Sequence, residues 1–453
     1  MVGGKYEIDM SKGSIFKNML LFALPLMLTN ILQLLYNAAD TFVVGRWGGS
    51  DSLAAVGATG TLTTLLLNIF IGLSVGGSVA VSKKYGAGDM RGLHRAAHTT
   101  VTFGIIAGIV SMCVGQILCR PILELMGTPT KVIDLSVLYM RIIFVGVPAQ
   151  MVYNFGAAIL RSVGDTRRPL YILSVTGIVN VVLNLVLVIG FHMDVAGVAI
   201  ATATAHYLSA AAVMYSLMYS DTPYRINLKK LKLHKEEVKE ITAVGLPAGL
   251  QSAMFSLSNL VVQSAVNSFG TATMAGRAAA GNIESFVYTS MNSFYQATLT
   301  SVSQNYGAKQ EKRIYKTIGV GLLCASVAGF GLGLLVYIFA EFLLGFYIVN
   351  SPEAMREGAI YIAVVGLPYF MCGVMEVMTG ALRGLGHSKT PAVSSLFGTC
   401  GFRIFWIFCI LPINHTTWFL YLCWPISWAF VSILHTITFF VVRKKSMVKM
   451  AEM

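Results

Sequence analysis

A succession of apolar stretches, each long enough to cross a bilayer, constrains this chain more than any other feature. A transmembrane helix needs about 20 consecutive apolar residues. Of the 453 residues, 55% are hydrophobic and only 12% are charged, whereas soluble domains carry roughly 25% charged residues. The sequence therefore predicts an all-α polytopic membrane protein with about twelve transmembrane helices. The predicted spans are 15–44, 52–81, 99–119, 135–155, 170–191, 195–219, 241–268, 274–302, 318–344, 360–382, 392–413 and 418–442.

The basic residues predict how the chain is oriented in the membrane. Most of the 33 lysines and arginines fall in loops on one side of the predicted spans. Cytoplasmic loops of membrane proteins carry an excess of lysine and arginine. We therefore expect both termini in the cytoplasm, and the net charge of +13 does not indicate a nucleic-acid partner. Among these basic segments, 219–240 is either an amphipathic helix on an anionic leaflet or a solvated linker.

The chain repeats itself. FALPLMLTN from Phe22 corresponds to VGLPAGLQS from Val244, and VSKKYGAGD from Val81 corresponds to VSQNYGAKQ from Val302. In the same way, LRSVGDTRRP corresponds to LRGLGHSKTP. The three offsets are 222, 221 and 222 residues. Parallel repeats of this kind are typical of transporters with a central substrate site. The predicted domains are two six-helix lobes, 1–218 and 241–443, with the linker 219–240 between them and a cytoplasmic tail at 444–453.

The first span carries a row of polar side chains. Asn30, Gln33, Asn37 and Asp40 recur at spacings of three, four and three, which places them on one face of an α-helix. Because a carboxylate in a membrane helix normally faces a bundle interior or a wet cavity, this face predicts a polar pocket with Asp40 as its titratable group. Gln33 and Asn37 are then candidates for the substrate cavity. The alternative is a helix end at which Asp40 only contacts headgroups.

The second half preserves part of this pattern. At the repeat offset Asn37 corresponds to Asn259, whereas Asp40 corresponds to Val262. Glu376, in a later span, is the second acid that we expect near the cavity. It either attracts cationic substrates or forms a structural pair with Arg403, since buried charges usually need a partner.

Each half also contains a proline within its first span. Pro25 and Pro247 occupy equivalent repeat positions, and each removes a backbone hydrogen bond from its helix. The functional interpretation is a pair of hinges, and the alternative is a pair of static kinks.

Several motifs in order carry a resemblance to a known family. These are ALP and ADTFVVGRWGG in the first span, LAAVG, GLSVGGSVAVSKKYGAGD, LRSVGDTRRP, GVAIATATAHY and LRGLGHSKTP. The chain resembles the multidrug and toxic compound extrusion family, most closely its bacterial DinF-like and MepA-like branch. The NorM-like acid of span seven is replaced by polar residues. The resemblance implies a multi-pass protein of the bacterial inner membrane that expels organic, often cationic, compounds against an inward flow of protons or sodium ions.

The resemblance also implies a cation-coupling site. Asp40 is the acid of the ADT motif, which the family uses in coupling. Where the family often pairs an Asn with an Asp one turn later, this chain has Asn180 and Asn184. Thr202 resembles a further member, with Thr204 as an alternative register. With one carboxylate available, we expect coupling to protons, with sodium as the second possibility.

No enzymatic constellation is present. The chain lacks a Walker lysine loop, its histidines have no metal spacing, and its seven cysteines form no metal or disulfide pattern. We therefore expect no enzymatic activity, no cofactor and no bound metal. The expected partners are a small organic substrate and the lipid bilayer, with the chain acting as a monomer. The alternatives are a lipid-linked oligosaccharide flippase of the same superfamily and a non-transporting membrane receptor or scaffold.

Overall fold

The computed structural model describes residues 6–349 and 351–452 of the chain. This part of the chain is largely helical and contains no β-strand, as predicted. Lys5, one of the basic residues expected on the cytoplasmic side, lies outside it. The helices are α1 Ile15–Trp47, α2 Gly49–Ala87, α3 Met90–Leu125, α4 Thr130–Ser162, α5 Arg167–Leu185, α6 Asp194–Met218, α7 Lys235–Asn267, α8 Thr271–Gly307, α9 Glu311–Ile338, α10 Ala340–Gly345, α11 Pro352–Tyr361, α12 Tyr369–Gly384, α13 Lys389–Ser395, α14 Phe402–Phe405, α15 Thr417–Tyr421 and α16 Cys423–Glu452.

The described helices account for the predicted membrane spans. Eight are long and apolar enough to cross a bilayer, and the pair Pro352–Gly366 and Tyr369–Gly384, bent by 46°, gives a ninth if the two helices form one span. Three more helices, α2, α7 and α8, have 39, 33 and 37 residues and are richer in glycine, serine and threonine. At about 1.5 Å per residue, each exceeds the thickness of the hydrocarbon core, which is about 30 Å. The all-α polytopic fold is thus confirmed.

The chain forms two compact units. Unit 1 contains residues 6–9 and Leu28–Leu250, and unit 2 contains Met10–Met27 and the chain from Gln251 onward. The units therefore differ from the lobes predicted at 1–218 and 241–443, because α1 and α7 each pass from one unit to the other. This assignment depends on tertiary packing, which the sequence pattern does not encode.

The two predicted hinge prolines lie close to these crossing points. α1 changes unit after Met27 and α7 after Leu250, so Pro25 and Pro247 each precede a crossing by about one helical turn. Both helices continue through their proline. The hinge role of both prolines stays a prediction.

The connection between the repeats is docked on unit 1. Instead of an amphipathic helix over 219–240, the structure has a 3-10 turn, Leu228–Lys230, and α7 begins at Lys235. Tyr224 and Ile226 are buried in the core of unit 1. The predicted surface helix is wrong because these two apolar side chains draw the segment into the protein core.

Polar contacts hold the same connection in place. The backbone N–H of Asn227 donates to Nε2 of His98 at 3.0 Å. Further along, Glu237 pairs with Arg95 at 3.1 Å, and Glu240 pairs with Lys83 at 3.2 Å. Because Glu237 is almost fully buried, its pairing with Arg95 satisfies a charge that would otherwise be costly to desolvate.

Helices α2 and α7 approach each other closely within unit 1. A Cβ atom built on Gly72 would lie 2.2 Å from Cα of Gly249, and one on Gly76 would lie 2.0 Å from the carbonyl oxygen of Ile241. Small residues permit such close approach of membrane helices. Gly245 and Gly249 flank Pro247 and face α2 in the same way, so this part of α7 is fixed against unit 1.

Candidate functional site

Asp40 lies at the centre of a polar cluster in unit 1. Its side chain, on α1, is partly buried. One carboxylate oxygen accepts a hydrogen bond from Nδ2 of Asn184, and the other accepts one from Oγ1 of Thr202 at 3.1 Å. The structure therefore places Asp40 among protein donors and not at a free helix end.

The two asparagines of α5 complete this cluster. Nδ2 of Asn184 also lies 3.3 Å from Oδ1 of Asn180, and Nδ2 of Asn180 donates to Oγ1 of Thr202 at 3.4 Å. Asn180 and Asn184 are only 4% and 0% exposed, so neither amide is available to bulk solvent. We call Asp40, Asn180, Asn184 and Thr202 the Asp40 cluster, and these are the four residues that the sequence predicted for coupling.

Local packing explains why these residues meet. Gly177 on α5 leaves room for the ring of Tyr36 on α1, because a Cβ atom at Gly177 would lie 1.8 Å from Cζ of that ring. The hydroxyl of Tyr36 donates to the carbonyl of Ser174 at 3.3 Å. α5 then continues into a π-helical turn, Val186–Gly190, directly after the cluster, and such turns are frequent at functional sites.

Thr202, and not Thr204, belongs to the cluster. The hydroxyl of Thr204 donates to the carbonyl of Ile200 on its own helix at 2.7 Å. This resolves the register that the sequence left open.

The cluster can stabilise either charge state of Asp40. Hydrogen bonds donated to a carboxylate favour its ionised form, whereas burial disfavours it. In addition, Oδ1 of Asn184 is buried and has no hydrogen-bond partner. It can accept from a protonated Asp40 or contribute an oxygen ligand to a small cation.

Sequence reasoning missed one neighbour of the cluster. Tyr139 on α4 interacts electrostatically with Asp40 and packs against Val43, Val44 and Val198. A tyrosine in an apolar span gives no signal of its own, because its position depends on how α4 packs against α1.

The remaining residues predicted on α1 lie apart from these contacts. Gln33 and Asn37 are exposed, and the hydrogen bonds that hold the Asp40 cluster involve neither of them. They present amide groups on the surface of α1, as a cavity lining requires, and their part in substrate binding stays a prediction.

In unit 2, Arg403 is held by neutral partners. Its guanidinium donates to Oδ1 of Asn259 at 3.3 Å and to Oγ of Ser427 at 3.2 Å, and it stacks over Trp424. Asn259, predicted for the substrate cavity, is therefore already a hydrogen-bond acceptor for Arg403.

Glu376 does not pair with Arg403, so that alternative is wrong. Among the described residues, the ion pairs at up to 4.0 Å do not include Glu376. Its electrostatic partner is Arg383, which donates to Oε1 of Gln251 and to the hydroxyl of Tyr295, both at 2.6 Å. Arg383 lies on α12 two turns after Glu376, whereas Arg403 lies on α14. Whether Glu376 reaches Arg403 depends on how these two helices pack, which the sequence does not show.

Comparison with known proteins identifies what this arrangement is similar to. The MatE family model matches residues 25–186 and 247–408, which confirms the internal repeat. The probable multidrug resistance protein YoeA of Bacillus subtilis is 30% identical over 401 residues, covering 87% of this chain and 86% of YoeA. The multidrug export protein MepA of Staphylococcus aureus strain N315 is 21% identical, with 85% of each chain covered.

Solved structures share the fold. A crystal structure of MATE in complex with MaL6 superposes with a TM-score of 0.89 at 20% identity, covering 99% of this chain and 100% of that chain. A point mutant of the Vibrio cholerae MATE transporter VcmN gives a TM-score of 0.88 at 18% identity, covering 96% of this chain and 98% of VcmN. At these identities the likeness concerns the fold alone.

Proposed function

This chain belongs to the MatE family of multidrug and toxic compound extrusion transporters, and from that premise we propose that it is a cation-coupled antiporter that exports organic cations. The observation that carries the proposal is the Asp40 cluster, in which a single carboxylate lies among buried amides and a hydroxyl. An intramembrane acid of this kind is the group that a transporter titrates or uses to bind a cation.

The coupling ion that we propose is the proton. Asp40 is the one acid of its cluster, and the other members are neutral. A sodium ion must give up its water for these few oxygens, and a single carboxylate compensates poorly for that loss. A proton needs only the carboxylate. In the proposed cycle, ionised Asp40 favours binding of the exported cation, and protonation of Asp40 removes the charge and favours its release.

The substrates that we propose are hydrophobic monovalent cations. Asp40 and Glu376 are the acids that the sequence predicted near the substrate, and Gln33, Asn37 and Asn259 are the predicted neutral polar groups. Two relatives carry names that describe multidrug resistance or export, which supports a broad substrate range.

The experiment that tests this function is a dye-accumulation assay in bacterial cells expressing the chain. We expect lower steady-state accumulation of the cation ethidium than in cells carrying an empty vector. Accumulation of the anion carboxyfluorescein should be unchanged, because the acids of the cavity repel it. Unchanged ethidium with altered distribution of a lipid-linked oligosaccharide would support the flippase alternative, and no effect on either would support a non-transporting receptor.

We further propose that the protein acts as a monomer in the bacterial inner membrane with both termini in the cytoplasm. The basic loops support this orientation. Lys229 and Asn414 are both exposed and lie in loops assigned to opposite faces. After replacement of the exposed Cys113 and Cys409 by serine, an impermeant thiol reagent added to intact cells should label Asn414→Cys and not Lys229→Cys. The reverse pattern would invert the topology.

A further inference from the structure

Unit 2 contains a second polar group that the proposed cycle does not use. On α8, the side chain of Arg277 extends along the helix past Gly281 toward Glu284. Its Nη2 lies 3.7 Å from Oε2 of Glu284. Gly281 leaves room for this path, because a Cβ atom there would lie 2.4 Å from Nη1 of Arg277 and the guanidinium would have to shift. The guanidinium thus lies along the surface of its own helix and contacts a carboxylate two turns further on.

Three aromatic rings form a wall around this guanidinium. Cζ of Arg277 lies 4.1 Å from the ring centre of Tyr361 and 5.4 Å from that of Trp424. Tyr361 packs edge-to-face against Tyr421 at 4.9 Å and against Trp424 at 5.8 Å. Cations within about 6 Å of such ring faces are attracted by the ring quadrupole, and aromatic cages recognise organic cations in this way.

Two carboxylates complete the walls. The hydroxyls of Tyr361 and Tyr369 both donate to Glu284, which fixes its orientation. On α11, Glu357 lies one turn before Tyr361, and its Cβ lies 3.0 Å from a Cβ built on Gly276, the neighbour of Arg277. Glu357 also interacts electrostatically with Tyr421.

The decisive feature is that two of these groups are unsatisfied. Oε2 of Glu357 and the hydroxyl of Tyr421 are buried and have no hydrogen-bond partner. A buried polar group without a partner carries a desolvation penalty of about 1–3 kcal/mol. A cation that bears N–H donors can supply hydrogen bonds to both oxygens, the carboxylate oxygen of Glu357 and the phenol oxygen of Tyr421. The neighbouring aromatic rings would attract the same cation.

We propose that unit 2 contains a binding site for guanidinium or amidinium compounds, in which Arg277 is the resident internal cation. We call this site the Trp424 cage, and it consists of Tyr361, Tyr421, Trp424, Glu284 and Glu357. An incoming organic cation competes with Arg277 for the rings and donates its N–H groups to Glu357. The side chains of Arg277 and Glu284 are 18% and 20% exposed, so both are partly accessible.

The local charges agree with this assignment. The basic groups near the cage are Arg277 and Arg403, whose guanidinium lies 5.3 Å from the ring centre of Trp424. The acids are Glu284 and Glu357. Replacement of the Arg277 guanidinium by an exogenous cation keeps these charges balanced, whereas an anion would add to the charge of two carboxylates. The proposed site depends on the proposed export of organic cations, and it would select guanidinium and amidinium compounds among them.

The test is binding of phenylguanidinium to the full-length protein in detergent micelles, measured by isothermal titration calorimetry without any ion gradient. Phenylurea, which has nearly the same shape but no charge, is the matched ligand control. We expect Arg277→Ala to bind phenylguanidinium at least about 10-fold more tightly than the unmodified chain, because removing the competing cation avoids a displacement costing about 1.4 kcal/mol. Phenylurea should bind weakly to both proteins.

Further variants keep the proposal testable if Arg277→Ala folds poorly. Arg277→Gln should show the same gain in affinity, and phenylguanidinium should raise its melting temperature. Glu357→Gln should weaken binding at least about 10-fold, the counterpart of about 1.4 kcal/mol, whereas Glu353→Gln, an exposed acid on the same helix, should not. Equal binding of phenylurea, unchanged affinity on removal of Arg277, or equal effects of the two glutamate variants would overturn the proposal. Because no gradient is applied, a failure of coupled export leaves this result unaffected.

Discussion

Replacement of Asp40 by asparagine should abolish uphill drug export by the reconstituted protein. The amide has the same shape as the carboxylate, but it neither titrates nor carries charge. Its contacts with Asn184 and Thr202 can persist, because an amide also has an acceptor and the threonine hydroxyl can rotate. The variant should therefore fold and remain in the membrane while its drug accumulation against a gradient falls to that of protein-free liposomes.

Two controls separate lost coupling from lost folding. Asp51→Asn removes an exposed acid of unit 1 and should leave export unchanged. The melting temperature of the Asp40→Asn variant should change little. The variant loses a hydrogen bond to a charged group, which contributes about 1.5–3 kcal/mol, but it no longer has to bury a charged carboxylate. Persistent uphill export by Asp40→Asn would remove Asp40 from the coupling mechanism.

Replacement of Gly76 by alanine should strongly destabilise unit 1. The added methyl group would lie 2.0 Å from the carbonyl oxygen of Ile241, and a backbone atom cannot rotate away as a side chain can. Overpacking usually costs about 1–3 kcal/mol, and we expect the upper end of this range or more. The measurements are folded yield by size-exclusion chromatography and the melting temperature in detergent.

The matched control is Gly331→Ala in α9. No atom lies within 4 Å of a Cβ built at this position, and replacing a mid-helix glycine by alanine gains roughly 0.5–1 kcal/mol. The control should be as stable as the unmodified chain or slightly more so. Equal melting temperatures for the two variants would contradict the close approach of α2 and α7.

The members of the Asp40 cluster were predictable because the family resemblance assigns them to one site, although Asp40 and Asn184 lie 144 residues apart in the chain. Asn180 and Asn184 lie four residues apart, and Asp40 belongs to a motif that resembles one family. The linker was not predictable, because the burial of Tyr224 and Ile226 depends on a core assembled from distant helices. The periodic pattern of leucines and lysines describes an amphipathic helix equally well, and tertiary packing decided against it.

The Trp424 cage in unit 2 was also not predictable from the sequence. Arg277 and Glu284 are seven residues apart and suggest a shared helix face, but Tyr361 and Trp424 come from segments far along the chain. Nothing in the spacing connects these four residues, so the Trp424 cage could be recognised only from the folded chain. The same applies to the crossing of α1 and α7 from one unit to the other.

The central claim is that a proton on Asp40 drives export, and the most direct measurement is ethidium efflux from proteoliposomes under one imposed gradient at a time. An inwardly directed proton gradient, with the lower pH outside and equal, low sodium on both sides, should drive uphill efflux of ethidium. The Asp40→Asn variant should show no such efflux. An inward sodium gradient at constant pH should drive none. Efflux driven by sodium alone, with none driven by the pH gradient, would contradict the account.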